Sequence, residues 1–290
     1  MTCDVEEFSI EHSTINDAVI PKVHKQGLPL LLDIFEKEKI NATFFFTGYY
    51  AERSPESLLM VQKKGHEIGC HSYSHDSKLY LNKLSAKEQY REIRKAKSII
   101  EEIVGPIKSF RSPALRSNKY TFEVLMACGF THDSSICPRR FDAFLTPGAL
   151  REKFRWLQKP RIPFKIRSSI QSKYLTEIPL TSLVIPYMSN ISRISPSIME
   201  ILQKFLFNES LRDSNHLMFL THPNEFVELI GRPKTTYRSD YLLGKIFTDY
   251  LRHKLKLQRF GPSFVFLVEK EIKAAKKLGC HFKTISSINI

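Results

Sequence analysis

Ala42-Thr43-Phe44-Phe45-Phe46-Thr47 is an unbroken apolar run with three consecutive phenylalanines. Stretches of helical pattern lie on either side of it, at residues 28–39 and 54–64. A strand that faces water on one side alternates apolar and polar residues, whereas a strand apolar at every position is covered on both faces, as in a parallel sheet flanked by helices. Working outward, Thr2-Cys3-Asp4-Val5 predicts an earlier buried strand that delivers carboxylates at its C-terminal end, and His66-Glu67-Ile68-Gly69 predicts a later one. Ser85-x-x-Glu88 is a capping box that opens a long helix running to Val104. Strands at 107–110 and 130–133, with a helix at 119–128 between them, continue the alternation. Further strands are expected at 175–179, 216–221 and 280–285, and helices at 197–207 and 263–278. This order predicts an α/β fold, a parallel sheet or (β/α) barrel with its helices outside. Pro147, Pro160 and Pro163 break the pattern over 138–172, which reads as a basic loop or insertion within one domain spanning 1–290.

The end of the third strand carries Gly69-Cys70-His71-Ser72-Tyr73-Ser74-His75-Asp76. An i, i+4 histidine pair can bring two imidazoles to one metal if the segment makes a helical turn. A carboxylate from Asp4-Val5-Glu6 would then complete a two-histidine, one-carboxylate set with positions open for water and substrate. Taken alone, His71 and His75 read equally as ordinary loop histidines. Other polar groups fall at successive strand ends: Arg111, then Asp133-Ser134-Ser135, then His222. The C-terminal edge of a parallel barrel is where such groups converge on a site.

Read together, Ala42 to Gly48, Gly65 to His75 and Phe110-Arg111-Ser112-Pro113 resemble, in order and spacing, the polysaccharide deacetylase family, whose members share the NodB homology domain. The resemblance implies a distorted (β/α) barrel holding a divalent metal, usually zinc, with Co2+, Ni2+ or Fe2+ suiting the same donors. It implies Glu6, His71 and His75 as ligands, Asp4 as general base and Arg111 as the partner that keeps Asp4 ionised and aimed. It further implies the Ala114 N–H as an oxyanion donor, His222 as the acid for the departing amine and Leu220 as lining for the acetyl methyl group. Asp133 would orient or tune His222. Here the first motif is Asp-Val-Glu where the family more often has adjacent aspartates; on a strand, residues i and i+2 share a face, so both carboxylates can reach one centre. The usual second proline and the glycine after Arg111 are missing, and the only tryptophan is Trp156, inside the loose basic segment.

The implied activity is removal of an N-acetyl group from an amino sugar in a polysaccharide, oligosaccharide or lipid-linked sugar. Hydrolysis of a non-sugar amide or cyclic imide uses the same core, and a glycan-binding module without activity is the third reading. The formal charge of +14 suits a polyanionic partner such as an anionic membrane or a phosphorylated glycolipid. Cations concentrate in 151–173 (among them Arg151, Lys153 and Arg155) and in 232–259. In the second stretch Leu242, Leu243, Ile246, Phe247, Tyr250 and Leu251 recur at helical spacing. It reads either as a core-facing helix with a solvated basic side or as a helix on a membrane surface. No nucleic-acid-binding signature accompanies the charge, so no nucleic acid partner is expected. Five scattered cysteines, no apolar stretch of roughly eighteen residues and no basic leader before Asp4 lead to the expectation of a cytoplasmic protein with reduced thiols.

Overall fold

The computed structural model describes residues 1–12, 14–140, 156–170, 172–213, 216–228, 233, 235, 242 and 245–290. Eight strands form one sheet: β1 (Thr2–Val5), β2 (Thr43–Phe46), β3 (Glu67–Cys70), β4 (Ser109–Phe110), β5 (His132–Asp133), β6 (Phe164–Arg167), β7 (Tyr174–Glu177) and β8 (Leu220–Thr221). Their spatial order is β8-β1-β2-β3-β4-β5-β7-β6, and all neighbours are parallel except the antiparallel β6–β7 pair. The sheet curls without closing its ladder. Residues 178–188 bridge the gap, with the Leu180 N–H donating to Ile136 O and the Leu220 N–H donating to Tyr187 O. This is the distorted barrel the sequence predicts.

The phenylalanine run shows why both faces had to be apolar. Phe44 and Phe46 belong to the large core between sheet and outer helices, whereas Phe45 points into the smaller core inside the curl with Ile178, Leu180, Met218 and Leu220. Gly69 makes room for it, since a Cβ there would sit 2.6 Å from the Phe45 ring. Helices Leu28–Lys37, Pro55–Lys63 and Ala86–Val104 cover the outside. The last opens with the expected capping box, the Glu88 carboxylate accepting from the Ser85 N–H at 2.8 Å.

Three expectations are corrected. The segment 280–285 is not a strand: the Cys280 N–H donates to the Ala275 carbonyl, the Ile285 N–H to the Thr43 hydroxyl and, one residue on, the Ser286 N–H to the Glu67 carboxylate, with no ladder bond. Part of the loose 138–172 segment is ordered as β6, an edge strand whose Phe164 and Ile166 pack on the core while Lys165 and Arg167 face out. Arg151, Lys153 and Arg155 lie outside the described residues. Trp156 is buried against Phe122, ring centroids 5.7 Å apart, and so does not offer a face on which a sugar could stack. Of the apolar residues expected to face the core in 232–259, Leu242, Ile246, Phe247, Tyr250 and Leu251 are exposed; Arg232 and Leu243 lie outside the described residues.

Candidate active site

Parallel register carries the site residues to one level. Beyond the last paired strand residues the ladder runs one step further: Thr47 N–H donates to Val5 O, His71 N–H to Phe46 O, Arg111 N–H to Cys70 O and Ser134 N–H to Phe110 O. Glu6, His71, Arg111 and Ser134 therefore emerge side by side at the C-terminal edge.

Glu6, His71 and His75 each offer a donor atom within 4.8 Å of the others. Glu6 Oε2 lies 3.0 Å from His75 Nε2 and 3.7 Å from His71 Nε2. His71 Nδ1 is 2.8 Å from the carbonyl oxygen of Arg111, which can only accept, so the ring proton sits on Nδ1 and the Nε2 lone pair faces the carboxylate. Glu6 Oε2 is buried and accepts no hydrogen bond. A carboxylate oxygen and an imidazole lone pair turned toward each other without a donor between them fit a cation, and this donor set can hold a metal ion. Burial alone raises the Glu6 carboxyl, but His75, His71 and His222 hold it down to about 2. Burial lowers the His75 imidazole, with Glu6 opposing.

The segment 71–75 does not make the expected helical turn. Ser72 takes φ +60°, and the Gly48 and Tyr49 N–H groups donate to the Ser72 and Tyr73 carbonyls. The loop's shape is set by Glu7, fully buried beside Glu6. Its Oε2 accepts from the Thr47 hydroxyl at 2.6 Å, and its Oε1 from the Ser74 hydroxyl at 2.7 Å and the His75 N–H at 2.9 Å. One carboxylate thus ties β1, the end of β2 and the histidine loop together.

Asp4 stands next to the cluster, its Oδ2 3.8 Å from His71 Nε2 and its Oδ1 accepting from Arg111 Nη1 at 2.9 Å. The wholly buried Arg111 finds an acceptor for each of its five N–H bonds: Asp4 Oδ1, the Thr2 hydroxyl, the Ser134 carbonyl and hydroxyl, and Met218 Sδ. Its guanidinium also lies 4.5 Å from the Phe45 ring centroid.

His222 follows β8 with its side chain 19% exposed, and the carboxylate facing it is Glu225, at 3.9 Å from Nδ1. Burial opposes the His222 proton, but Glu225, Glu6 and Asp4 outweigh it and raise the imidazole above its ordinary value. Glu225 is held by Arg193 at 3.0 Å, by the Ser189 hydroxyl and by the His222 N–H. Burial raises the Glu225 carboxyl, yet Arg193 and His222 bring it to about 2.

Asp133, expected beside His222, instead sits across from Glu177 in register on β5 and β7. Its Oδ1 accepts from the Ser135 hydroxyl, whose oxygen accepts from the Ser112 N–H, so it braces the turn after Arg111. In that turn Ala114 is exposed with φ +54°, and its N–H has no acceptor among the described residues. Leu220 is buried in the inner core with Phe45 and Met218. Glu7, Glu177 and Glu225 were missed by sequence reasoning. Glu225, three residues after His222 in a His-Pro-Asn-Glu run, carried a readable capping signal. A cavity of about 490 Å³ opens at the opposite, N-terminal edge of the sheet beside Lys39, Lys276 and Lys283, away from this chemistry.

A curled, largely parallel sheet with two histidines and a carboxylate clustered at its C-terminal edge is an arrangement able to hold a cation. The family model described as Polysaccharide deacetylase matches residues 12–132, about two fifths of the chain. The match takes in His71, His75, Arg111 and Ala114; Asp4, Glu6, Asp133, Leu220 and His222 lie outside it. The peptidoglycan deacetylase of Helicobacter pylori is 29% identical over 119 residues, 41% of this chain, and the chain spans only 40% of that relative. Among solved structures, a probable polysaccharide deacetylase from Pseudomonas aeruginosa PAO1 is similar over 98% of this chain and 86% of its own, at 15% identity and a TM-score of 0.58. An allantoinase is similar over 98% and 85%, at 14% identity and a TM-score of 0.59. These two likenesses establish the fold.

Proposed function

We propose that residues 1–290 act as one catalytic domain, a metal-dependent hydrolase that removes the N-acetyl group from an N-acetylated amino sugar of a polysaccharide, oligosaccharide or lipid-linked glycan. The observation that carries this reading is the Glu6–His71–His75 cluster with an arginine-paired Asp4 3.8 Å from one of its nitrogens. Those three residues would hold a divalent cation, zinc being the best match to two imidazoles and a carboxylate, with Co2+, Ni2+ and Fe2+ accepted by the same donors. When bound, it would supply Lewis-acid polarisation of the acetyl carbonyl and a more acidic water. The remaining chemistry belongs to the chain. Asp4 Oδ2, free of the Arg111 bond that occupies Oδ1, takes the proton from the attacking water. Ala114 donates its N–H to the oxygen that gains negative charge. His222, whose imidazole Glu225 raises above its ordinary value, gives its proton to the departing sugar amine.

Elemental analysis combined with acetate release from N-acetylglucosamine oligomers tests this reading, comparing the wild type with Asp4→Asn. About one metal per chain is expected, with acetate release reduced by roughly 10²–10⁴ in the variant. Metal without release from any acetylated sugar, but with turnover of small cyclic amides, would move the chain to the amide hydrolases. Failure to take up any metal after reconstitution would overturn the proposal.

A further inference from the structure

The helical segment 245–256 has its polarity reversed. Its buried side is polar: Asp249 is 6% and His253 4% exposed, and His253 Nε2 bonds to the carbonyl oxygens of Ile10 and Glu11 at 3.1 and 2.9 Å. Its outer side is apolar, with Phe247 56% exposed and Ile246, Tyr250 and Leu251 beside it, and Leu242 just before it is 72% exposed. A helix normally turns its apolar stripe to the core. Here buried polar groups anchor the segment and leave the apolar stripe without a partner among the described residues.

The charges around that stripe select the occupant. Lys245 and Lys254 are exposed on the same segment and Arg259 is exposed three residues beyond it, while the segment's one acid, Asp249, is buried, so the charges seen exposed there are positive. A second copy of this face would meet like charge. An anionic bilayer answers both features: aromatic and aliphatic side chains enter the headgroup boundary, and lysines and arginines stay at the phosphate level.

We propose that the surface formed by Leu242, Ile246, Phe247, Tyr250 and Leu251, rimmed by Lys245, Lys254 and Arg259, docks on an anionic lipid bilayer. The docking face adjoins the catalytic end of the barrel, because the carbonyls that anchor His253 belong to the turn between the paired strands Phe8–Ser9 and Thr14–Ile15, and the Phe8 ring lies 5.5 Å from that of His75. The proposal stands on surface chemistry and does not depend on the deacetylase reading.

Co-sedimentation of the full chain with vesicles tests it, using phosphatidylcholine alone and phosphatidylcholine mixed with phosphatidylglycerol. Binding is expected to the mixed vesicles and to weaken as salt rises. A double variant, Phe247→Ser with Leu251→Ser, should bind about tenfold less. Because both side chains are exposed, its thermal melt should match the wild type. Lys254→Glu, which leaves the apolar face intact, should lose affinity for anionic vesicles only. Absence of binding, equal binding to neutral and anionic vesicles, or a dimer that the Phe247→Ser, Leu251→Ser variant dissolves would overturn the proposal.

Discussion

Two pairs of buried carboxyl groups sit at the C-terminal edge of the sheet, and they stay buried in different ways. Asp4 and Glu6, at the end of β1, face nitrogen groups: the Arg111 guanidinium bonds Asp4 at 2.9 Å, and Glu6 meets the Nε2 atoms of His71 and His75. Asp133 and Glu177, opposite one another on β5 and β7, have no cation bonded to them among the described residues. Burial raises both of these carboxyls, and each then raises or shares the proton of the other; Asp133 Oδ2 and Glu177 Oε2, the two oxygens without another partner, take one proton between them. The first pair holds the proposed ligand and the proposed base. The second, with one proton for two carboxyls, braces the turn after Arg111 through Ser135. In this molecule the pair faced by Arg111 and the two histidines is the candidate for catalysis, and the proton-sharing pair is a support.

The largest effect expected from breaking this contrast falls on the cluster itself. A His71→Ala, His75→Ala variant should lose its metal entirely and with it all measurable acetate release, by elemental analysis and assay on the same sample. Next comes Arg111→Met, which strands a buried Asp4 charge and should cost about 3–5 kcal/mol in urea unfolding. A cost as small as that of Glu177→Gln would erase the distinction between the pairs.

Glu7→Gln keeps the shape but weakens acceptance from Ser74 and the His75 N–H. A loss of about 10–100-fold in metal affinity is expected from competition with a chelator, without loss of fold. The smallest effect is on pH dependence. Asp133 and Glu177 hold their shared proton above the pH at which the unfolded chain releases it, so the stability they contribute is complete below about pH 4 and declines as pH rises. Glu177→Gln should flatten that decline by about 1 kcal/mol, read from melts between acidic and neutral pH.

The fold was legible where burial on both faces left a mark in composition, as in Ala42 to Thr47, and where a local signal sufficed, as in the Ser85 capping box. The ligand-type residues were legible because His71, His75 and Glu6 fall at strand ends. What could not be read depends on partners distant in sequence. The loop with the left-handed Ser72 is tied down by Glu7, 65 positions earlier, through Ser74 and His75. Asp133 was assigned to His222 because nothing in the sequence pairs it with Glu177, and the reversed polarity of 245–256 arises from the His253 anchor on residues 10 and 11.

Trp156, the sole tryptophan, is 4% exposed against Phe122, on the β6–β7 side of the sheet and away from the metal-type cluster. Its fluorescence is therefore a one-point optical probe: emission from a dry indole should shift to longer wavelength when that side of the barrel opens. Comparing that transition with loss of an added metal ion, monitored separately, would tell whether the histidine-bearing edge and the braced edge melt as one cooperative unit or in succession.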